Sequence, residues 1–311
     1  MKNIPTKKLI NGIDIPLIGN GPALWVYFVD NKPTWTNANK LFRFSKRIYT
    51  KFEHKFITTP QLVEKVAFAM KNGCFLLDYA ESYSAENLIG EAIKKSGIER
   101  KKLFLTARVG NVTQKEGKTR ESLLRTLDLY NTDYVDLFMF HWPVPNFYTN
   151  TWKEMEILYK EGFCKAIGVA NCNVHHLEAI FNICKIQPML NQFEIHPLFT
   201  QKPLIEYCKQ RDIAVEGYTP LARFDERLKN AFCLQELSKK YNKTIPQVIL
   251  RWHIQNDIIP IVRSMNQKRQ IENISIFDFE LTADEVNRID KLNINSRLRY
   301  DPDNLNYSVV C

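Results

Sequence analysis

The feature that most constrains this chain is an alternation. Short runs rich in β-branched and aromatic residues are separated by segments with helical periodicity. Repeated strand–helix units pair their strands in parallel and cover the sheet with helices. Eight runs qualify: Gly19 to Trp25, Phe75 to Asp78, Leu103 to Ala107, Tyr134 to Phe140, Lys165 to Ala170, Met189 to Phe193, Ala214 to Thr219 and Ile258 to Arg263. Helix signals lie between them. Ser84 is placed to cap a helix over Ala85 to Lys95, and Asn173 one over Val174 to Ile183. Thr282 with Glu285 spells a capping box, and Pro203 and Pro246 suit a first helical turn.

Eight units predict an α/β chain folded as a (β/α)8 TIM barrel, a single domain over residues 1–311. An open doubly wound sheet would want a glycine-rich turn after an early strand. No GxGxxG and no P-loop occurs among only 11 glycines. Ahead of the barrel, Lys7 to Ile10 and Ile13 to Pro16 flank Asn11-Gly12, which predicts an N-terminal β-hairpin on a type I′ turn.

One stretch breaks the alternation. The chain from Trp25 to Thr59 is long for a strand-to-helix connection, which predicts a basic insertion after the first barrel strand, about residues 27–58. Within it Arg43, Arg47, Lys51 and Lys55 recur every four residues, and Phe44, Ile48, Phe52 and Phe56 recur one position on. On a helix this is a basic stripe beside an apolar one. It reads first as a packed helix with a solvated charged face, next as a surface for an anionic partner or substrate, and last as a single-strand nucleic-acid surface.

Lys and Arg number 43 against 34 Asp and Glu, a net charge of +9 that favours anionic ligands without choosing one. The seven cysteines form no CxxC pair, which argues against a disulfide framework and a zinc ribbon and predicts a reducing, cytoplasmic setting. No HExxH occurs, and the adjacent His175 and His176 would diverge by about 100° on a helix, so no metal is expected. The apolar stretch Ile13 to Val29 is broken by Asp14, Pro16, Asn20 and Pro22, so neither a membrane span nor a signal peptide is expected.

Polar residues close seven of the eight runs: Asp78, Arg108, His141, Asn171, Gln192, Tyr218 and Arg263. In a (β/α)8 barrel the C-terminal strand ends share one rim, so these would line a small-molecule pocket over an apolar core. Taken singly, each has a plain structural use, such as a satisfied core group or a helix start. Those uses do not predict the shared placement.

These positions sit inside blocks that together resemble the aldo-keto reductase superfamily. Asp78-Tyr79-Ala80-Glu81-Ser82-Tyr83 resembles its D-x-A-x-x-Y, and Asp136 to Pro143 its DLxxxHWP. Ile167 to Asn171 resembles IGVSN, Asn191 to Pro197 NQxExHP, and Tyr218 to Leu221 YSPL. Arg263-Ser264 with Arg269, Glu272 and Asn273 resembles KSxxxxRxxEN. The resemblance implies an NADPH-dependent oxidoreductase that reduces an aldehyde or ketone to an alcohol. It implies Tyr83 as general acid, His141 orienting the carbonyl and Asp78 holding a cation beside the tyrosine. Asn171 and Gln192 would bind the nicotinamide carboxamide and Tyr218 would stack on its ring, with Thr219 and Leu221 in the same cofactor-binding block. Arg263, Ser264 and Arg269 would hold the 2′-phosphate that distinguishes NADP, with Glu272 and Asn273 completing the motif.

The chain departs from the pattern at Arg108, where the family has lysine. A phenol ordinarily titrates near ~10, so donating a proton at neutral pH needs a nearby cation. Arginine supplies the charge, but its planar fork prefers a carboxylate such as Asp78. Arg263 also replaces lysine, where only phosphate binding is at stake, and Ala170 replaces a serine. The alternative to a working reductase is a catalytically weak NADP-binding sensor or partner-binding module. A small-molecule carbonyl substrate is expected, and an anionic one would suit both the basic insertion and the tail from Leu292 to Cys311, which carries Arg297, Arg299, Tyr300 and Tyr307.

Overall fold

The computed structural model describes residues 4–21, 59–81 and 86–307. The basic insertion, His54, Tyr83 and the cap residue Ser84 lie outside these residues.

The N-terminal hairpin pairs β1 (Thr6–Lys8) antiparallel with β2 (Asp14–Pro16), with Lys7 opposite Ile15. Its turn differs from expectation. The Gly12 N–H donates to the Leu9 carbonyl, and only Gly12 takes a positive φ, of 85°. A type I′ turn needs two left-handed residues, and Asn11 is not one of them. The loop is therefore Ile10-Asn11-Gly12, a tight turn closed by a glycine bulge, and the Leu9 N–H donates to the Ile13 carbonyl across it.

Eight parallel strands then close a barrel: β3 (Gly19–Gly21), β4 (Leu76–Asp78), β5 (Phe104–Val109), β6 (Leu137–Phe140), β7 (Ile167–Ala170), β8 (Leu190–Glu194), β9 (Ala214–Tyr218) and β10 (Ile258–Arg263). Neighbours follow chain order, and β10 returns to pair with β3, Val262 opposite Asn20. The run predicted from Tyr134 begins as a regular strand only at Leu137, preceded by an isolated bridge between Val135 and Cys164. Closure is tight at β3, where a Cβ on Gly19 would lie 2.5 Å from Ile261 and 2.7 Å from Leu76. A larger residue there would separate the strands that seal the cylinder.

Helices cover the outside. Thr244 caps Ile245–Gln255 and Thr282 caps Ala283–Asp290, each through a capping box, and Pro203 and Pro246 occupy first-turn positions. Asn173 precedes Val174–Phe181, whose His176 Nδ1 accepts the Asn173 N–H at 3.1 Å. The core runs through strands and inner helix faces, with Trp152, Phe138, Phe140 and Trp252 nearly or fully buried. No helix among the described residues is long and apolar enough to cross a membrane. The six cysteines among them are free.

Candidate active site

Strand geometry explains why polar residues gather at one end of this barrel. Side chains alternate along a strand, so Thr106 and Arg108 of β5 share a face. Asp78, the last residue of β4, sits opposite Thr106 in the ladder. That offset brings the Arg108 Nη2 onto the Asp78 Oδ1, in an ion pair with side chains only 2% and 5% exposed. The contact joins one nitrogen to one oxygen, not the two-pronged pair that arginine favours.

His141 follows β6 immediately, half-buried at the rim, and its N–H is bonded to the Val109 carbonyl. Burial, reinforced by the positive charges of Arg108 and Arg299, pushes its imidazole down to about 3. It is therefore neutral at physiological pH. It can orient a substrate oxygen through a ring N–H, but it cannot serve as the acid.

Across the mouth the rim is made of amides. Asn171, in the left-handed region at φ 61°, follows β7 and is tied by its own N–H to the Gln192 carbonyl at 2.7 Å. Its Nδ2 donates to the His141 carbonyl at 2.9 Å, and its Oδ1 accepts the Tyr218 hydroxyl at 2.7 Å. One amide thus joins the ends of β6, β7 and β9. Gln192 donates its Nε2 to Glu216 at 2.8 Å. Its side-chain carbonyl oxygen takes no hydrogen bond among the described residues.

Glu216 is a site residue that the sequence reading missed. It is fully buried in β9, and burial, with the Asp78 charge adding to it, pushes its carboxyl up to about 8. Among the described residues its Oε1 has no partner. A lone Glu between Val215 and Gly217 signals a buried carboxyl, but only barrel closure reveals that it lies near Asp78 and Arg108.

Past Tyr218 the backbone is strained. Thr219, Ala222, Arg223 and Phe224 have φ between 47° and 56°, and none is glycine. Such runs cost about 1 kcal/mol per residue and collect at binding sites. Thr219 and Leu221 are half-buried in this loop. On a further section of the rim, Arg263 ends β10 with its side chain exposed. The Ser264 Oγ accepts the Asn266 N–H, and Arg269 is exposed on the helix Gln267–Asn273. Glu272 pairs loosely with Lys268, and Asn273 is buried.

Two further acidic residues act as anchors. Glu81 accepts the Gly110 N–H and the Ser122 hydroxyl on one oxygen and the Thr113 hydroxyl on the other, fixing the chain next to residue 82. Glu194, fully buried, accepts the Leu298 and Arg299 N–H groups at 2.8 and 2.9 Å and contacts His196. Burial opposes its ionisation, but these hydrogen bonds hold its carboxyl below the usual range. They bind the tail across the mouth. Beyond them, Tyr300 meets Trp142 edge-on at 6.4 Å, and Asp303 accepts from Asn173 at 2.7 Å. His175 and His176, expected to diverge, both face Asp303, their rings 3.9 Å apart. The His176 Nδ1 lone pair is taken by the Asn173 N–H, so its Nε2 carries a proton and is no metal ligand in this arrangement.

Comparison with known proteins agrees with this geometry. The model of the Aldo/keto reductase family matches residues 49–294. Glyoxal reductase of Bacillus subtilis (strain 168) is 37% identical over 300 residues, 96% of this chain and 97% of that protein. The 9,11-endoperoxide prostaglandin H2 reductase of Trypanosoma cruzi (strain CL Brener) is 42% identical over 77% of this chain and 85% of its own length. Among solved structures, an aldo-keto reductase from a deep-sea metagenome library superposes with a TM-score of 0.82 at 31% identity, covering 97% of this chain and all of that one. A Bombyx mori aldo-keto reductase in complex with NADP gives 0.82 at 26% identity, covering 97% of each. With a closed eight-stranded barrel, a polar rim at its C-terminal end and these relatives, the chain belongs to the aldo/keto reductase family of oxidoreductases.

Proposed function

We propose that this enzyme uses NADPH to reduce a small aldehyde or ketone to an alcohol, and that residues 1–311 form one barrel domain carrying an insertion at about 27–58. The observation that carries this reading is a buried cation–carboxylate pair and a neutral imidazole facing an amide rim across one mouth. The donor set fits the cofactor. Gln192 is buried and its side-chain carbonyl oxygen accepts nothing among the described residues, and the Asn171 amide keeps one N–H and one lone pair in reserve, a match for a carboxamide. Arg263, Arg269 and Ser264 suit a 2′-phosphate, which arginine binds in a forked geometry.

When bound, NADPH would supply the hydride. The protein manages the proton. Tyr83 would donate it to the carbonyl oxygen, since His141 is neutral at physiological pH and its one ring N–H is too weak an acid to give up. His141 would orient that oxygen, and Arg108 would favour the phenolate left behind. Because Asp78 already offsets the Arg108 charge, that help is weaker than an unpaired cation would give. Relatives named as glyoxal and methylglyoxal reductases make small dicarbonyls the first substrates to try. The net positive charge also supports an anionic substrate.

The test is NADPH binding by fluorescence, together with NADPH oxidation against aldehydes and ketones including 2-oxopropanal. Turnover that Tyr83→Phe lowers by ~1,000-fold or more, at unchanged NADPH affinity, is expected. Tight NADPH binding with no turnover on any carbonyl would overturn it in favour of a sensor or partner-binding module, the reading favoured by Arg108 being engaged with Asp78.

A further inference from the structure

We propose that Arg299 is a substrate anchor that selects carbonyl compounds carrying a carboxylate a few bonds from the reacting carbon. This rests on the reductase reading and names the substrate class within it.

The tail brings four candidates toward the mouth, and the structure separates them. The Arg297 guanidinium lies 4.6 Å from the centre of the Phe199 ring, committed to a cation–π contact. The Tyr307 hydroxyl donates to the Pro302 carbonyl at 2.9 Å, within the tail itself. Tyr300 rests against Trp142. Arg299 differs: its backbone is fixed, and among the described residues its side chain is uncommitted. Its N–H is held by Glu194 at the end of β8, and its neighbour Tyr300 by Trp142 beyond the end of β6. Residue 299 is thus stretched between two strand ends, over the gap between them. Its side chain is half-buried, and among the described residues no carboxylate, carbonyl or ring accepts its guanidinium.

That arrangement is unusual for arginine, which when half-buried normally finds an acceptor. The charge is close enough to the chemistry to be felt, because it contributes to holding His141 neutral. The other mouth cation, Arg108, is already taken by Asp78. Of these two guanidinium groups, the one without an acceptor among the described residues is therefore on the tail, at the outer edge of the pocket. A substrate whose carbonyl meets His141 would present its far end to Arg299. A carboxylate there gains forked, charge-assisted hydrogen bonds, while an alkyl end gains nothing.

The probes are 4-oxobutanoate and butanal, which share a chain length and differ by the carboxylate. Wild-type enzyme should favour the charged aldehyde in kcat/KM, with the preference weakening as salt rises. Arg299→Gln should cut the charged-to-neutral ratio of kcat/KM by ~10-fold or more, chiefly by raising KM for the charged aldehyde, and Arg299→Glu should cut it further. Arg299→Lys should restore part of it, and Arg297→Gln should leave it alone. A ratio unmoved by Arg299→Gln, while both aldehydes and 2-oxopropanal still turn over, would overturn the anchor and leave the reductase reading standing. No turnover on any of the three would overturn both. If no Arg299 variant folds, wild type decides the matter: butanoate should inhibit competitively against the aldehyde at least ~10-fold better than butanol, and equal inhibition would sink the proposal.

Discussion

The two halves of the barrel mouth hold polar groups in opposite ways. From β4 to β6 the rim is ionic, with Asp78 and Arg108 paired out of solvent and His141 neutral beside them. From β7 to β9 it is neutral at the surface, with Asn171, Gln192 and Tyr218 linked by hydrogen bonds. The difference lies in what a change leaves behind. Removing one member of a buried ion pair strands a full charge, at about 3–5 kcal/mol. Removing one neutral hydrogen bond costs about 1 kcal/mol. The ionic half should therefore be brittle and the amide half tolerant.

The largest expected effect tests that brittleness. Asp78→Asn keeps the shape but takes the paired carboxylate away from the buried Arg108. Stability to urea should fall by about 3 kcal/mol. Turnover should fall by ~100-fold or more, because the released guanidinium would reorient and draw the proton-donating group with it. A loss under ~1 kcal/mol in unfolding would mean that water or another carboxylate already compensates Arg108, and the contrast between the halves would collapse.

Arg108→Lys sharpens the same comparison from the other side. Lysine is a compact charge that can hold Asp78 and still approach a phenol, whereas the arginine fork is engaged by the carboxylate. Turnover on simple aldehydes should rise by ~10-fold, equivalent to ~1.4 kcal/mol at the transition state, with NADPH affinity unchanged. A fall in turnover would show a site tuned around arginine.

Much of the barrel is legible in the sequence, because the signal for each strand is local. Phe104 to Val109 and Ile258 to Arg263 are apolar runs that end in a charge or polar turn, and they form strands at nearly the expected bounds. Rim residues such as Asp78 and Asn171 are legible for the same reason: each directly follows its own run. What escapes is information held in pairings between distant segments. Glu216 looks like an isolated acidic residue until β9 is placed beside β8 and Gln192 reaches it. Glu194 stands in a recognisable block, but its use as the tail's anchor depends on where Leu298 and Arg299 return. The hairpin turn fails for a finer reason. Asn11-Gly12 is compatible with two turn types, and the choice lies in the φ of Asn11, which its identity does not settle. The assignment of Tyr83 as the acid concerns a residue outside the described ones, so it stands on sequence and on what His141 cannot do.

The smallest effect, read at mildly acid pH, belongs to Glu216, a titrating group beneath the amide half. In the folded chain the Glu216 carboxyl is raised to about 8, while in the unfolded chain it returns to the ordinary carboxyl range. Between those values the unfolded state gives up its proton and the folded state keeps it. Stability should therefore fall as pH rises through this window, by at most ~1.4 kcal/mol per unit. Below the window both states are protonated and Glu216 contributes no slope. Glu216→Gln removes the titration and keeps an acceptor for Gln192. In urea unfolding, the variant should match wild type near pH 4, exceed it by about 1 kcal/mol near pH 5.5, and gain further as pH rises towards 8. Parallel stability curves would mean that Glu216 is ionised in the folded protein. The charge of Arg108 would then be shared across the mouth with Glu216, and the division between an ionic and a neutral half would not hold.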